Sequence, residues 1–209
     1  MPWLQHGSSP IAEMRPAIQR PLASRSLFVR QSNIFAGNNH LNIRRATVAG
    51  LIALTCWPST AGTAQDLPAR LLAMHNAERA RMRVAPLRWD PRLAASAASY
   101  GQTLARMGRL QHAPAALRVG QGENLWMGTS GAFSPEQMVG SWISERSLFR
   151  AGVFPNVSRN GRWSDVGHYT QMIWRGTTHV GCTIQRSSQW DFLVCRYSPP
   201  GNIDGRLVP

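Results

Sequence analysis

Gly167-His168-Tyr169-Thr170-Gln171-Met172-Ile173-Trp174, Val180-Gly181-Cys182-Thr183-Ile184-Gln185 and Gln189-Trp190-Asp191-Phe192-Leu193-Val194-Cys195-Arg196-Tyr197 follow one another in the last part of the chain. These runs are rich in β-branched and aromatic residues, which suit a pleated, half-buried surface. They predict strands over 168–174, 180–185 and 189–197, with Arg186-Ser187-Ser188 joining the last two as a hairpin. Upstream, apolar residues recur at helical spacing instead. Leu67, Leu71, Met74 and Ala77 follow Asp66 and Pro68, a cap and first-turn pair, and predict a helix ending near Arg83. Leu93, Ala97, Tyr100, Leu104 and Met107 continue at i, i+4, i+7, i+11 and i+14 behind Asp90 and Pro91, and Gly108 stops that second helix. Ser134-Pro135-Glu136-Gln137 opens a third with an N-cap serine, an N1 proline and a capping-box glutamine. Helices first and an antiparallel meander later make an α+β layered domain, not alternating β-α units.

The chain has 209 residues, 23 basic and 10 acidic, for a formal charge of +13, and every basic residue is arginine. That length fits one domain plus an appendage. A complete lack of lysine is explained more simply by GC-rich coding than by selection for phosphate, so the charge does not argue for a nucleic-acid partner. With 43% apolar residues and eight Trp the chain can bury a core, which excludes disorder over its whole length.

Residues 1–64 differ from the rest, with six Arg against the single acid Glu13 and no sustained hydrophobic period before Ala46. Arg44 and Arg45 then precede an apolar run, 46–57, shorter than the roughly 20 residues of a membrane-spanning helix. Followed by Pro58 and small residues up to Ala64, it reads as a signal-peptide core with cleavage before Gln65 and a start codon assigned too far upstream. The alternative is an organelle transit peptide over the Arg- and Ser-rich stretch 15–30. The expected organisation is a removed extension, 1–64, and one domain, 65–209, sent to the extracellular space or the periplasm. Cys56 leaves with the peptide, and Cys182 and Cys195 remain in an oxidising compartment, where they are expected to pair. The chain-entropy account values that closure at about 3 kcal/mol.

One polar pattern stands out against this apolar framework. Met138, Trp142, Glu145 and Phe149 fall at i, i+4, i+7 and i+11 on the third helix, which places the Glu145 carboxylate within an apolar stripe. An acid there becomes protonated or acquires a hydrogen-bonding cation. His168 and His112 are candidate partners, and Glu123 is a second acid. Taken singly, each residue also has an ordinary reading as a solvated Glu or a core His bonded to backbone.

Several motifs converge on one family. Gly122-Glu123-Asn124-Leu125-Trp126, the stretch from Gly167 to Trp174, Val180-Gly181-Cys182 and Val194-Cys195-Arg196-Tyr197-Ser198-Pro199-Pro200-Gly201-Asn202 together resemble the CAP superfamily of cysteine-rich secretory proteins, antigen five and pathogenesis-related-one proteins. His75-Asn76, Arg79 and Pro86-Leu87-Arg88-Trp89-Asp90 are similar to the family's opening helix and the turn after it. The resemblance runs from about Leu67 to Asn202. It implies a three-layer α-β-α sandwich around a mainly antiparallel sheet, and a cleft tetrad made of His112, Glu123, Glu145 and His168. His75 and His179 lie outside that tetrad, and His75 reads as a framework residue. The chain lacks the extra cysteine pairs of plant and venom members and any cysteine-rich C-terminal module, so ion-channel regulation is not implied. Arg196 and the ending Leu207-Val208-Pro209 depart from the pattern of the plant proteins that release a C-terminal peptide.

Four chemistries suit two imidazoles and two carboxylates. His112 and His168 could ligate a divalent metal such as Zn²⁺ at about 2.0–2.1 Å, with water completing an open shell and a glutamate orienting it. A glutamate or histidine could serve as general base in a metal-assisted or His/Glu-dependent hydrolase, although no Gly-x-Ser-x-Gly elbow is present. The family resemblance also implies apolar lipid or sterol binding, for which the loop 150–165 offers Val153, Phe154 and Trp163, with Arg150, Arg159 and Arg162 favouring an anionic membrane surface. In the last reading the His–Glu pairs only knit the layers together. The expectation is binding of lipid or sterol, modulated by metal, with the hydrolase as the alternative.

Overall fold

The computed structural model describes residues 66–209 and a short strand, β1 (Ile18–Gln19). The expected signal core, the cleavage site and Cys56 lie outside the described residues. Among the described residues the α-helices are α1 (Leu67–Arg81), α2 (Pro91–Met107), α3 (Pro135–Ser144) and α4 (Gly167–Met172). The strands are β2 (Arg88–Trp89), β3 (Gly122–Thr129), β4 (Gly152–Val153), β5 (His179–Arg186), β6 (Trp190–Ser198) and β7 (Leu207–Val208).

The caps read from sequence hold. Asp66 accepts from Ala69 N–H at 3.0 Å, and Asp90 accepts from Arg92 N–H at 2.7 Å. Ser134 and Gln137 close a reciprocal capping box, and Gly108 ends α2 with φ +64°, where a side chain would be strained. α2 buries Leu93, Ala97, Tyr100 and Leu104 as its period requires.

Two readings change. The run 168–174 is not a strand, because residues from Gly167 form α4. All six residues of α4 are buried, so the β-branched and aromatic composition reports full enclosure and not a pleated surface. On α1 the buried face is Leu71, His75, Glu78 and Arg79, while Ala77 is exposed, a stripe turned toward polar residues. That face is tolerated because its polar groups find partners. Arg79 donates to the carbonyls of Ala85, Met172, Trp174 and Thr177 at 2.6–3.0 Å, and burial lowers its pKa to about 10.

The main sheet has the order β1-β3-β6-β5-β2, antiparallel at its centre and parallel at both edges. One face packs on α2 through Ala97, Tyr100, Leu104, Leu125, Phe192 and Val194. The other meets α1 and α3 through Leu71, Trp126, Met138, Trp142 and Tyr197. This is the expected α+β sandwich of three layers. β3 had no strand-like sequence at its head, since Glu123 and Asn124 are poor strand formers. Gly181 lies so close to the backbone of Asp90 and Ala94 that a Cβ would not fit, which seats α2 directly on β5. Cys182 and Cys195 are cross-strand partners on β5 and β6 and form the expected disulfide.

Candidate functional site

The four residues of the expected tetrad form two His–Glu pairs. His112, in the loop after α2, donates from Nδ1 to Glu123 Oε1 at 2.6 Å, and Ala113 N–H adds a second bond to the same oxygen at 3.0 Å. His168, near the start of α4, donates from Nδ1 to Glu145 Oε1 at 2.6 Å, while Tyr169 N–H donates to Glu145 Oε2 at 3.0 Å. Glu145 is the C-cap of α3 and begins a short 3₁₀ turn, so Phe149 lies beyond the helical stripe that singled the carboxylate out. The helix still aims Glu145 inward, with its side chain 17% exposed.

Strand alternation separates the two pairs. Glu123 faces α2, where Arg196 stacks over the Tyr100 ring at 5.4 Å, and Asn124 faces the opposite layer. Asn124 Nδ2 donates to the His168 carbonyl at 3.0 Å and to the Tyr197 hydroxyl at 3.2 Å. Consecutive residues of β3 therefore tether both pairs. Trp142 completes the His168 arm, its ring stacked on the imidazole at 5.7 Å.

The Glu123 arm also contains a buried cation that the sequence reading did not assign to the site. Arg196 Nη2 lies 3.1 Å from Glu123 Oε2, a charge contact without hydrogen-bond geometry, since Oε2 and Arg196 Nε and Nη1 are buried without hydrogen-bond partners. Burial lowers the pKa of Arg196. An arginine inside the apolar run 192–197 was the available signal, because such a charge, once buried, requires a nearby partner.

Both imidazoles spend Nδ1 on a carboxylate, and neither Nε2 makes a hydrogen bond among the described residues. A carboxylate behind Nδ1 fixes the tautomer that leaves Nε2 able to ligate a metal. Each imidazole therefore presents its own Nε2 as a possible ligand atom, one on either side of β3. Among the described residues, the one group of three donors within 4.8 Å is His75, Cys182 and Cys195, and both of its sulfurs are spent in the disulfide. His75 itself donates from Nδ1 to Leu71 O at 2.7 Å and accepts from the Tyr197 hydroxyl at 2.8 Å, as a framework residue would.

The expected lipid-lining residues separate. Val153 is 51% exposed on β4, but Phe154 is buried with Phe149, Val157 and Trp174, and Trp163 packs on it at 5.3 Å. Phe154 thus belongs to a third core cluster instead of lining a mouth, and the partly buried Trp163 packs against that cluster. Arg162 is paired with Asp165 at 2.7 Å, and Arg150 bonds Asn156 Oδ1.

The sequence profile of the cysteine-rich secretory protein family, CAP, matches residues 72–197. The chain belongs to the CAP family. This CAP chain is 32% identical over 173 residues to a PR-1-type pathogenesis-related protein of Sambucus nigra, covering 82% of this chain and 98% of that protein. It is 37% identical over 140 residues to pathogenesis-related leaf protein 4 of Solanum lycopersicum, covering 66% of this chain and 81% of the relative. Among solved structures, NaASP2 with Zn²⁺ superposes with a TM-score of 0.56 at 24% identity, over 71% of this chain and 87% of that one, a likeness of fold. No helix among the described residues is long and apolar enough to cross a membrane.

Proposed function

We propose that this CAP protein, once exported to the extracellular space or the periplasm, acts by binding, with an apolar lipid or sterol as ligand and a divalent metal such as Zn²⁺ held by His112 and His168. The observation that carries the metal reading is the pair of 2.6 Å Nδ1–carboxylate bonds, which orient each Nε2 as a ligand atom. When bound, the ion supplies a positive centre that polarises an oxygen of a ligand or a water. With two protein ligands its affinity is modest, below that of sites with three or four. The lipid contacts exposed apolar residues around Val153, because Phe154 is enclosed in the core.

The same bonds weigh against the carboxylates as general bases and leave that role, in the hydrolase alternative, to a free Nε2. Three of the four carboxylate oxygens accept hydrogen bonds from within the protein, and the fourth faces Arg196, so each acid orients a neighbour and is not free to take a proton from substrate.

The decisive experiment compares wild type with His112→Ala/His168→Ala in zinc titration, sterol binding and a broad peptide-hydrolysis screen. Zinc binding lost in the variant, sterol binding in the wild type and no hydrolysis in either is the expected result. Hydrolysis that the double substitution abolishes would replace this reading with the hydrolase.

A further inference from the structure

The exposed apolar residues of this domain are not scattered. Among the described residues, six large apolar side chains are exposed; three of them, Val119, Ile203 and Leu207, line two grooves that share Pro200, and Leu117 and Val153 neighbour these in the chain or across strands. One groove, about 500 Å³, follows the loop after α2 and is walled by Ala115, Arg118, Val119 and Pro200. Val119 is 80% exposed there, and Leu117 in the same loop is 62% exposed. The second, about 370 Å³, is walled by Trp174, Arg175, Pro200, Ile203, Arg206 and Leu207. Leu207 on β7 is the cross-strand partner of Val153 on β4, so these two exposed aliphatic residues stand side by side. Singly exposed apolar residues are ordinary, whereas a gathered set marks an interaction surface.

The charges say which surface fits. Arg118, Arg175 and Arg206 make no ion pair among the described residues, in contrast to Arg70, Arg81, Arg146, Arg162, Arg186 and Arg196. Between Asp90 and Glu123 the chain carries four arginines and no acid, and the acid in the segment between Pro200 and Leu207 is Asp204. Aliphatic prongs among uncompensated guanidinium groups match an anionic lipid surface. The prongs enter the boundary between headgroups and acyl chains, and the arginines bind phosphate oxygens above it.

We infer that the paired grooves around Pro200 dock this protein on an anionic lipid bilayer. The inference rests on the lipid-binding reading for its place in the protein's function, while the surface itself owes nothing to the His–Glu pairs. It also moves the membrane contact away from Arg150, Arg159 and Arg162, the arginines of the 150–165 loop.

The test is co-sedimentation of the full chain with sterol-free vesicles, either phosphatidylcholine alone or phosphatidylcholine with roughly 30% phosphatidylglycerol. Expected are binding to the anionic vesicles, weakening as salt rises, and about tenfold or greater loss in Val119→Asp/Leu207→Asp and in Arg175→Gln/Arg206→Gln. All four positions are exposed, and an unchanged thermal midpoint separates lost docking from lost folding. Equal binding to neutral vesicles, or full binding by both variants, would overturn the inference. Self-association abolished by Val119→Asp/Leu207→Asp, without vesicle binding by the wild type, would assign the surface to a second copy and overturn it too. A chain that takes up no sterol yet sediments with sterol-free anionic vesicles would sink the sterol reading and leave this surface standing. Sterol uptake without vesicle binding would do the reverse.

Discussion

His75 and His168 pack on the same Trp142 ring, one edge-on at 6.5 Å and the other stacked at 5.7 Å, and both are buried. Their partners set them apart. His75 uses both nitrogens on uncharged groups, the Leu71 carbonyl and the Tyr197 hydroxyl, and has nothing left to offer a ligand. His168 uses one nitrogen on a carboxylate and keeps the other. Burial alone therefore does not make a histidine functional. What matters is whether its second nitrogen is already spent. His112 follows His168 in this respect, although it comes from a loop on the other side of the sheet and its acid is backed by Arg196.

The sharpest way to test that contrast is to remove the cation behind one arm. Arg196→Met should leave the Glu123 carboxylate buried without its charge partner and cost about 3–5 kcal/mol in denaturant unfolding. A cost within experimental error would mean that Glu123 is not held as an ion.

Acid should act next most strongly, and through His75. Burial lowers the pKa of His75 to about 4, below the ordinary 6.5, so between those values the unfolded chain binds a proton that the folded one refuses. This contribution to stability is complete above pH 6.5 and falls by about 3 kcal/mol as the pH drops to 4. His75→Phe should flatten that part of the stability curve, whereas His168→Phe should not remove the His75 contribution. A slope unchanged by His75→Phe would place the acid sensitivity elsewhere.

At the cleft, Glu145→Gln and Glu123→Gln should each weaken zinc binding about 10- to 100-fold in calorimetric titration, as loss of the acid behind a ligating imidazole does. Equal losses would make the arms equivalent despite their different supports, and a loss in only one would identify the arm that governs affinity. Tyr197→Phe, which removes the hydroxyl shared by His75 and Asn124, should cost about 1–2 kcal/mol and leave zinc binding unchanged. A parallel fall in zinc affinity would show that the Asn124 tether reaches His168.

Local chemistry made much of this legible in advance. The caps at Asp90 and Ser134, the stop at Gly108 and the pairing of Cys182 with Cys195 follow from rules that act within a turn or between neighbouring strands. Glu145 was legible for a similar reason, since an acid in an apolar stripe needs a partner, although periodicity could not tell that the helix ends there. The run after Gly167 misled because complete enclosure and a half-buried strand select the same side chains. Phe154 misled for a related reason, because an apolar loop residue looks alike whether it waits for a ligand or completes a core.

The amino-acid order by itself determined the first three helices, the central hairpin, the disulfide and the family, because hydrophobic period, caps and local motifs are short-range. Which histidine kept a free nitrogen was decided only when the layers closed. So were the placing of Arg196 against Glu123 and the meeting of two loops at Pro200, since each depends on partners supplied by distant segments whose approach the packed sheet and helices dictate.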